Sequence, residues 1–154
     1  MKKLIYILLF ALSITACDKS DDAPKSQGCS GATCAPAVAS GETAATIPSA
    51  AAGIYRCELT FAEATSPFPL GTKATFEITT DQKLIVTIEG QSCLTISNPI
   101  WRFGANASSG NYTWKDDCEN DVAYNVSFDT GGNFNEVNME PVGGPGFFGQ
   151  FTLE

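Results

Sequence analysis

The sequence predicts an all-β domain, a small antiparallel meander barrel of about eight strands preceded by a disordered linker. Three observations carry this. From residue 53 onward, apolar side chains recur at every second position in short runs, the period of a strand with one buried face. The runs are separated by brief Gly, Pro, Asn and Asp clusters, too short for the crossovers that parallel neighbours need. No stretch after residue 53 keeps the 3.6-residue apolar period of an amphipathic helix. A two-sheet β-sandwich has the same signature and is the alternative architecture.

Each strand follows from the pattern. Residues 54–61 alternate, with Tyr55, Cys57, Leu59 and Phe61 on one face and Arg56, Glu58 and Thr60 on the other. Pro67, Pro69 and Gly71 make 66–71 a loop, with Phe68 exposed on it as a possible rim residue. Residues 72–79 alternate through Ala74, Phe76 and Ile78. A turn at 80–82 returns the chain into 83–89 with Leu84, Val86 and Ile88 inward, and 92–97 carries Leu94 and Ile96. Pro99 makes 100–103 an edge strand or extended loop. Residues 111–115 form a short strand, and 116–121 an acidic loop. Residues 122–129 are the clearest alternation, through Val122, Tyr124, Val126 and Phe128. A turn at 130–133 leads to 134–140, and a glycine-rich bend at 141–146 to the closing strand 147–153. That last strand can pair with the first, which favours a closed or nearly closed barrel. The strand count and the opening Gly53-Ile54-Tyr55 resemble the small calycin-like or lipocalin-like barrels of exported lipoproteins, with tyrosine where lipocalins carry tryptophan.

The N-terminal third reads differently. Lys2 and Lys3 precede a 13-residue weakly polar-to-apolar run, 4–16, which has the form of a secretory signal and is short for a bilayer span. It ends in Ile14-Thr15-Ala16-Cys17, which resembles the lipobox of bacterial lipoproteins. The resemblance implies removal of 1–16 and acylation of Cys17, and two or more acyl chains anchor stably. Asp18-Lys19-Ser20-Asp21-Asp22 resembles the acidic export stretch of Bacteroidota surface lipoproteins, and reads equally well as a solvated spacer. The implied address is the cell envelope, at the outer membrane, with a surface-exposed domain as one form of it. Residues 17–52 are dominated by Ala, Ser, Gly, Thr and Pro, so this segment is expected to be a flexible linker and 53–154 the folded domain.

Composition narrows function. Seventeen Asp and Glu face nine Lys and Arg, for a net charge of −8, and the signal would remove two of the lysines. Such a surface repels polyanions, which argues against a nucleic-acid partner. There is no histidine, which removes the commonest general base and zinc ligand and argues against an enzyme. Glu58, Glu77 and Glu89 fall on outward faces, where no acid–base pair is evident.

Six cysteines occur. With Cys17 acylated, five remain in an oxidising setting, so an odd one is left over. The expected pairs are Cys29 with Cys34, as a local loop, and Cys93 with Cys118, leaving Cys57 as a buried free thiol. Two candidate sites stand out. Trp101, Arg102, Phe103, Tyr112, Trp114, Phe147 and Phe148 could line the mouth of a barrel and hold an apolar molecule or sugar. Asp116, Asp117, Glu119 and Asp121 offer oxygen ligands for a weak Ca²⁺ site, without the glycine and glutamate spacing of an EF-hand, and read more simply as a solvated acidic turn. No other cofactor is implied. Asn106, Asn111 and Asn125 begin N-x-Ser/Thr triplets, read as chance matches. The expected partners are the membrane, through the lipid, and a small molecule. The second function class is an accessory lipoprotein that binds an envelope protein and has no ligand pocket.

Overall fold

The structure is a computed structural model that describes residues 28–104 and 110–154. The signal segment 1–16, Cys17, the acidic stretch 18–22 and the Asn106 triplet lie outside the described residues.

The described chain is all-β. Ten strands run in order: β1 (Ala32–Cys34), β2 (Gly53–Ala62), β3 (Lys73–Ile78), β4 (Leu84–Ile88), β5 (Leu94–Ile96), β6 (Ile100–Trp101), β7 (Asn111–Asp116), β8 (Val122–Phe128), β9 (Phe134–Pro141) and β10 (Gly149–Leu153), with a single 3-10 turn at Ser49–Ala51. They form one sheet in the order β1-β5-β4-β3-β2-β10-β9-β8-β7-β6. Two meanders, β2–β5 and β6–β10, are joined where β10 pairs antiparallel with β2, as the sequence order allowed.

The sheet curls into a half-barrel. Connectivity requires strong curvature, because β5 lies near one end of the strand order and β6 at the other, yet only residues 97–99 join them. Four Cα steps reach about 15 Å at most. The apolar face is therefore wrapped inward. Leu59, Phe76, Ile78, Leu84, Ile96, Trp114, Val126, Val137, Met139 and Phe151 are buried there.

Three expectations need correction. The sheet is not wholly antiparallel, because β1 runs parallel to β5 (Ala32 beside Leu94, Cys34 beside Ile96). No crossover is needed, since the two strands are far apart in the chain. Phe61 is not inward but 51 % exposed. Gln150 sits opposite Phe61 and Phe151 opposite Leu59, so Thr60 is an extra residue and the alternation inverts beyond it. A second irregularity acts the other way: Phe128 faces Phe134 while Ser127 faces Glu136, so Phe134 turns in beside Val137 and Met139 despite its parity.

The largest correction concerns the linker. From residue 28 on it belongs to the domain. Cys34, Ile47 and Ala51 are buried in the core. Residues 43–45 lie along the other edge of the sheet, where Ala45 N–H donates to Pro99 O at 2.8 Å and Trp101 N–H to Thr43 O at 2.9 Å. Thus β1 extends one edge, 43–45 extends the other, and the stretch between spans the seam. Asn98 Nδ2 donates to Pro36 O and Lys115 Nζ to Glu42 along the way. Composition misjudges this segment because its order comes from backbone pairing and covalent cross-links rather than from large side chains.

Gln82, in the β3–β4 turn, adopts a left-handed φ of 71° that costs an ordinary side chain energy. Contacts of its own hold it there. Its amide accepts from Ile47 N–H and donates to Ile47 O, and its carbonyl accepts from the buried indole N–H of Trp114 at 3.1 Å.

Candidate functional site: a cavity at one end of the half-barrel

The two ends of the half-barrel differ. At the end formed by the starts of β2, β7 and β9 and the finish of β8, aromatic rings fill the interior. Phe134 stacks on Tyr55 with centroids 4.3 Å apart, Tyr55 meets Phe128, Phe128 meets Tyr112, and Tyr112 packs against Trp101 at 4.9 Å and against Trp114. The Tyr55 hydroxyl donates to Ala51 O at 2.7 Å, which ties the 3-10 turn to this plug.

At the opposite end a cavity of about 810 Å³ remains. Its floor is the apolar face of three strands: Val86 and Ile88 on β4, Leu94 on β5, Val122 and Tyr124 on β8. Pro67 and Phe68 of the proline loop and Phe147 before β10 stand at its side. Polar groups close the rim at residues 30–32, Gln91, Ser92, Glu119 and Asn120. The volume lies within the range of small-molecule sites, and the lining mixes apolar and polar groups.

Local chemistry explains why this wall stands. Cys29 is bonded to Cys93 and Cys34 to Cys118, with Cα–Cα separations of 5.7 and 5.9 Å. Both expected pairings, Cys29 with Cys34 and Cys93 with Cys118, are therefore exchanged. The reason is β1: its placement beside β5 sets Cys29 against the β4–β5 turn and aims Cys34 at the acidic loop. Gly31 passes so close to this turn that an added Cβ would lie 1.7 Å from Cys93 O, so only glycine fits. Cys57 is the one free thiol among the described cysteines, as expected. It is fully buried, and desolvation first, then the nearby Glu154 charge, push its pKa up to about 12. A thiol held in that form is a poor nucleophile.

The acidic loop beside the cavity is a folded turn organised by Asp116. Asp116 is fully buried. Its Oδ1 accepts the Cys118 and Glu119 N–H groups, its Oδ2 accepts both the backbone and side-chain N–H of Asn120, and Cys34 Sγ lies 3.4 Å away. Its lone pairs are committed to building the loop. Asp117, Glu119 and Asp121 are exposed, and among the described residues they do not gather with Asp116. The group that does gather, Cys34, Asp116 and Cys118, has both sulfurs in a disulfide.

The seven-residue aromatic set is also divided. Trp114 and Tyr112 are buried core, and Trp101 packs on them, all in the filled end. Arg102 stacks over the exposed Phe103 ring at 5.1 Å and pairs with Glu140 on the outer surface. Phe148 meets Phe61 outside, with centroids 6.0 Å apart. Phe147 alone of the seven lines the cavity, joined by Phe68. The residues that sequence reasoning passed over are Tyr124, which reads as ordinary strand core, and residues 30–32, which read as linker. The latter carry no local signal in the sequence beyond the cysteines that flank them, Cys29 and Cys34.

Glu58, set outward by its parity, pairs with Lys73 on the surface. Among the described residues no helix is long and apolar enough to cross a membrane. No protein family, curated protein or solved structure matches this chain.

Proposed function

We propose that this protein is a lipid-anchored envelope protein whose β domain binds a small, partly apolar molecule. The observation that carries the binding half is the cavity of about 810 Å³, floored by Val86, Ile88, Leu94, Val122 and Tyr124, in a domain whose other end is filled with aromatic rings. The lipobox resemblance at Cys17 carries the anchor. The chain enters the described domain at residue 28, beside the cavity rim.

The test uses the chain from residue 18, which keeps every described residue and omits the segment that the lipobox resemblance removes or acylates. An uncharged solvatochromic dye should bind it with one-site saturation. Val86→Phe adds a ring to the cavity floor and should abolish that binding, at a cost of about 1–3 kcal/mol of stability because Val86 is only 3 % exposed. Dye binding that survives Val86→Phe unchanged would remove the cavity as the site. The anchor is tested separately, by mass spectrometry of membrane-extracted protein, where diacylglycerol on Cys17 is expected.

A further inference from the structure

Resting on that reading of the cavity, we infer that its ligand is a single-chain amphiphile with a cationic, alkylammonium-type head, and that the site discriminates against carboxylate and phosphate heads. The argument begins with charge. Of the residues lining the cavity, only Glu119 is an acid or a base carrying charge at neutral pH. The described chain contains five cationic side chains, and none lines the cavity. Four are engaged elsewhere: Lys73 with Glu58 and Glu154, Lys83 with Asp81, Arg102 with Glu140, and Lys115 with Glu42. The fifth, Arg56, is exposed and on the outward parity of β2. An anionic head placed at this rim would lose its hydration and meet no counter-charge among the described residues.

The rim instead presents negative potential. Glu119 is exposed on the acidic loop, with Asp117 and Asp121 on either side. Asp116 stands behind the wall, and its field reaches the cavity lining: with burial as the larger cause, it raises the Tyr124 pKa. Three aromatic rings, Phe68, Tyr124 and Phe147, share the lining with Glu119. The π faces of such rings attract cations, most strongly where water is excluded. Below them Val86, Ile88, Leu94 and Val122 offer a surface for an alkyl chain. Apolar floor, aromatic side and a lone carboxylate at the rim together match an alkylammonium ion along its length.

The test compares three eight-carbon probes below their aggregation range: octyltrimethylammonium, octanol and octanoate. Each is titrated against the dye-loaded chain from residue 18 at fixed ionic strength. The ammonium is expected to displace the dye at about one-tenth of the octanoate concentration, the ratio expected from Glu119 together with the weaker field of Asp117 and Asp121 attracting one head and repelling the other. Glu119→Gln is an exposed, isosteric change, so the fold should stand. It should cut that ratio to about threefold, and half-molar salt should shrink it as well. Octanol displacing the dye with no advantage of ammonium over octanoate overturns this inference and leaves the cavity reading intact. Failure of all three to displace overturns both. An ammonium preference that Glu119→Gln leaves untouched removes Glu119 from the site and with it the inference.

Discussion

The two ends of this half-barrel are built from the same strands and held by different forces. The filled end is consolidated by packing: Tyr55, Phe128, Phe134, Tyr112, Trp101 and Trp114 form one continuous aromatic group, clasped by Gln82. The cavity end has lost that filling. Its strands β1 and β5 are three residues each, and two disulfides and the committed lone pairs of Asp116 hold its walls. A region with open volume in place of packed rings needs its rigidity from bonds that occupy little space. Sulfur–sulfur bridges and a buried carboxylate turn meet that requirement.

Three changes break or sharpen this contrast. Trp114→Ala strikes the filled end, where the ring is wholly buried, and should cost about 3–5 kcal/mol of unfolding free energy in urea melts. A cost below about 1 kcal/mol would show that the aromatic group is not the main support. Replacing Cys29 and Cys93 together by serine strikes the cavity end and should cost about 2–4 kcal/mol. Unlike Trp114→Ala, it should also release the wall at residues 30–32, so dye affinity should fall even under conditions where the domain stays folded. The smallest effect falls on the seam. Lys115 lies 2.8 Å from Glu42, and its hydrogen bond is the first cause that lowers the Glu42 pKa, followed by the bond from Ala39 N–H. A carboxylate depressed in the folded state contributes stability above its ordinary pKa of 4.5 and loses it as pH falls below that. The pair is partly exposed, so the loss is about 0.5 kcal/mol. Hydrogen exchange at the Ala45 and Trp101 amides should therefore quicken, relative to core amides, between pH 5 and pH 3 by about twofold. Glu42→Gln should flatten that dependence.

Much of the strand pattern was legible because one face of each strand is buried and period two reports it directly. Tyr124 and Val126, or Leu84 and Val86, could be placed inward from spacing alone. Phe61 could not, because a single extra residue at Thr60 inverts the parity, and nothing in Thr60 itself announces a bulge. Residues 28–52 were illegible for another reason. Their order depends on partners more than sixty residues away, namely Cys93 for Cys29 and Cys118 for Cys34, and pairing at that distance leaves no local trace. The same holds for the cavity. Its floor residues look like core residues in the sequence, since a side chain facing empty volume and one facing a neighbour are equally apolar. Phe68 could be suspected as a rim residue because it lies on the proline loop, and Phe147 because it belongs to the aromatic set of the second half, although the structure starts the closing strand two residues after it.

The Cys29–Cys93 bond also determines how the domain responds to pulling. A tension applied through the chain ahead of residue 28 enters the fold at Cys29, before it reaches β1. The covalent link passes that load across to the β4–β5 turn, and a second link from Cys34 shares it with the loop after β7. Strand β1, whose few hydrogen bonds would peel apart one at a time, is thereby bypassed. The three-residue pairing of β1 with β5 lies between two covalent links, so tension at the N-terminus meets the Cys29–Cys93 bond before it reaches β1.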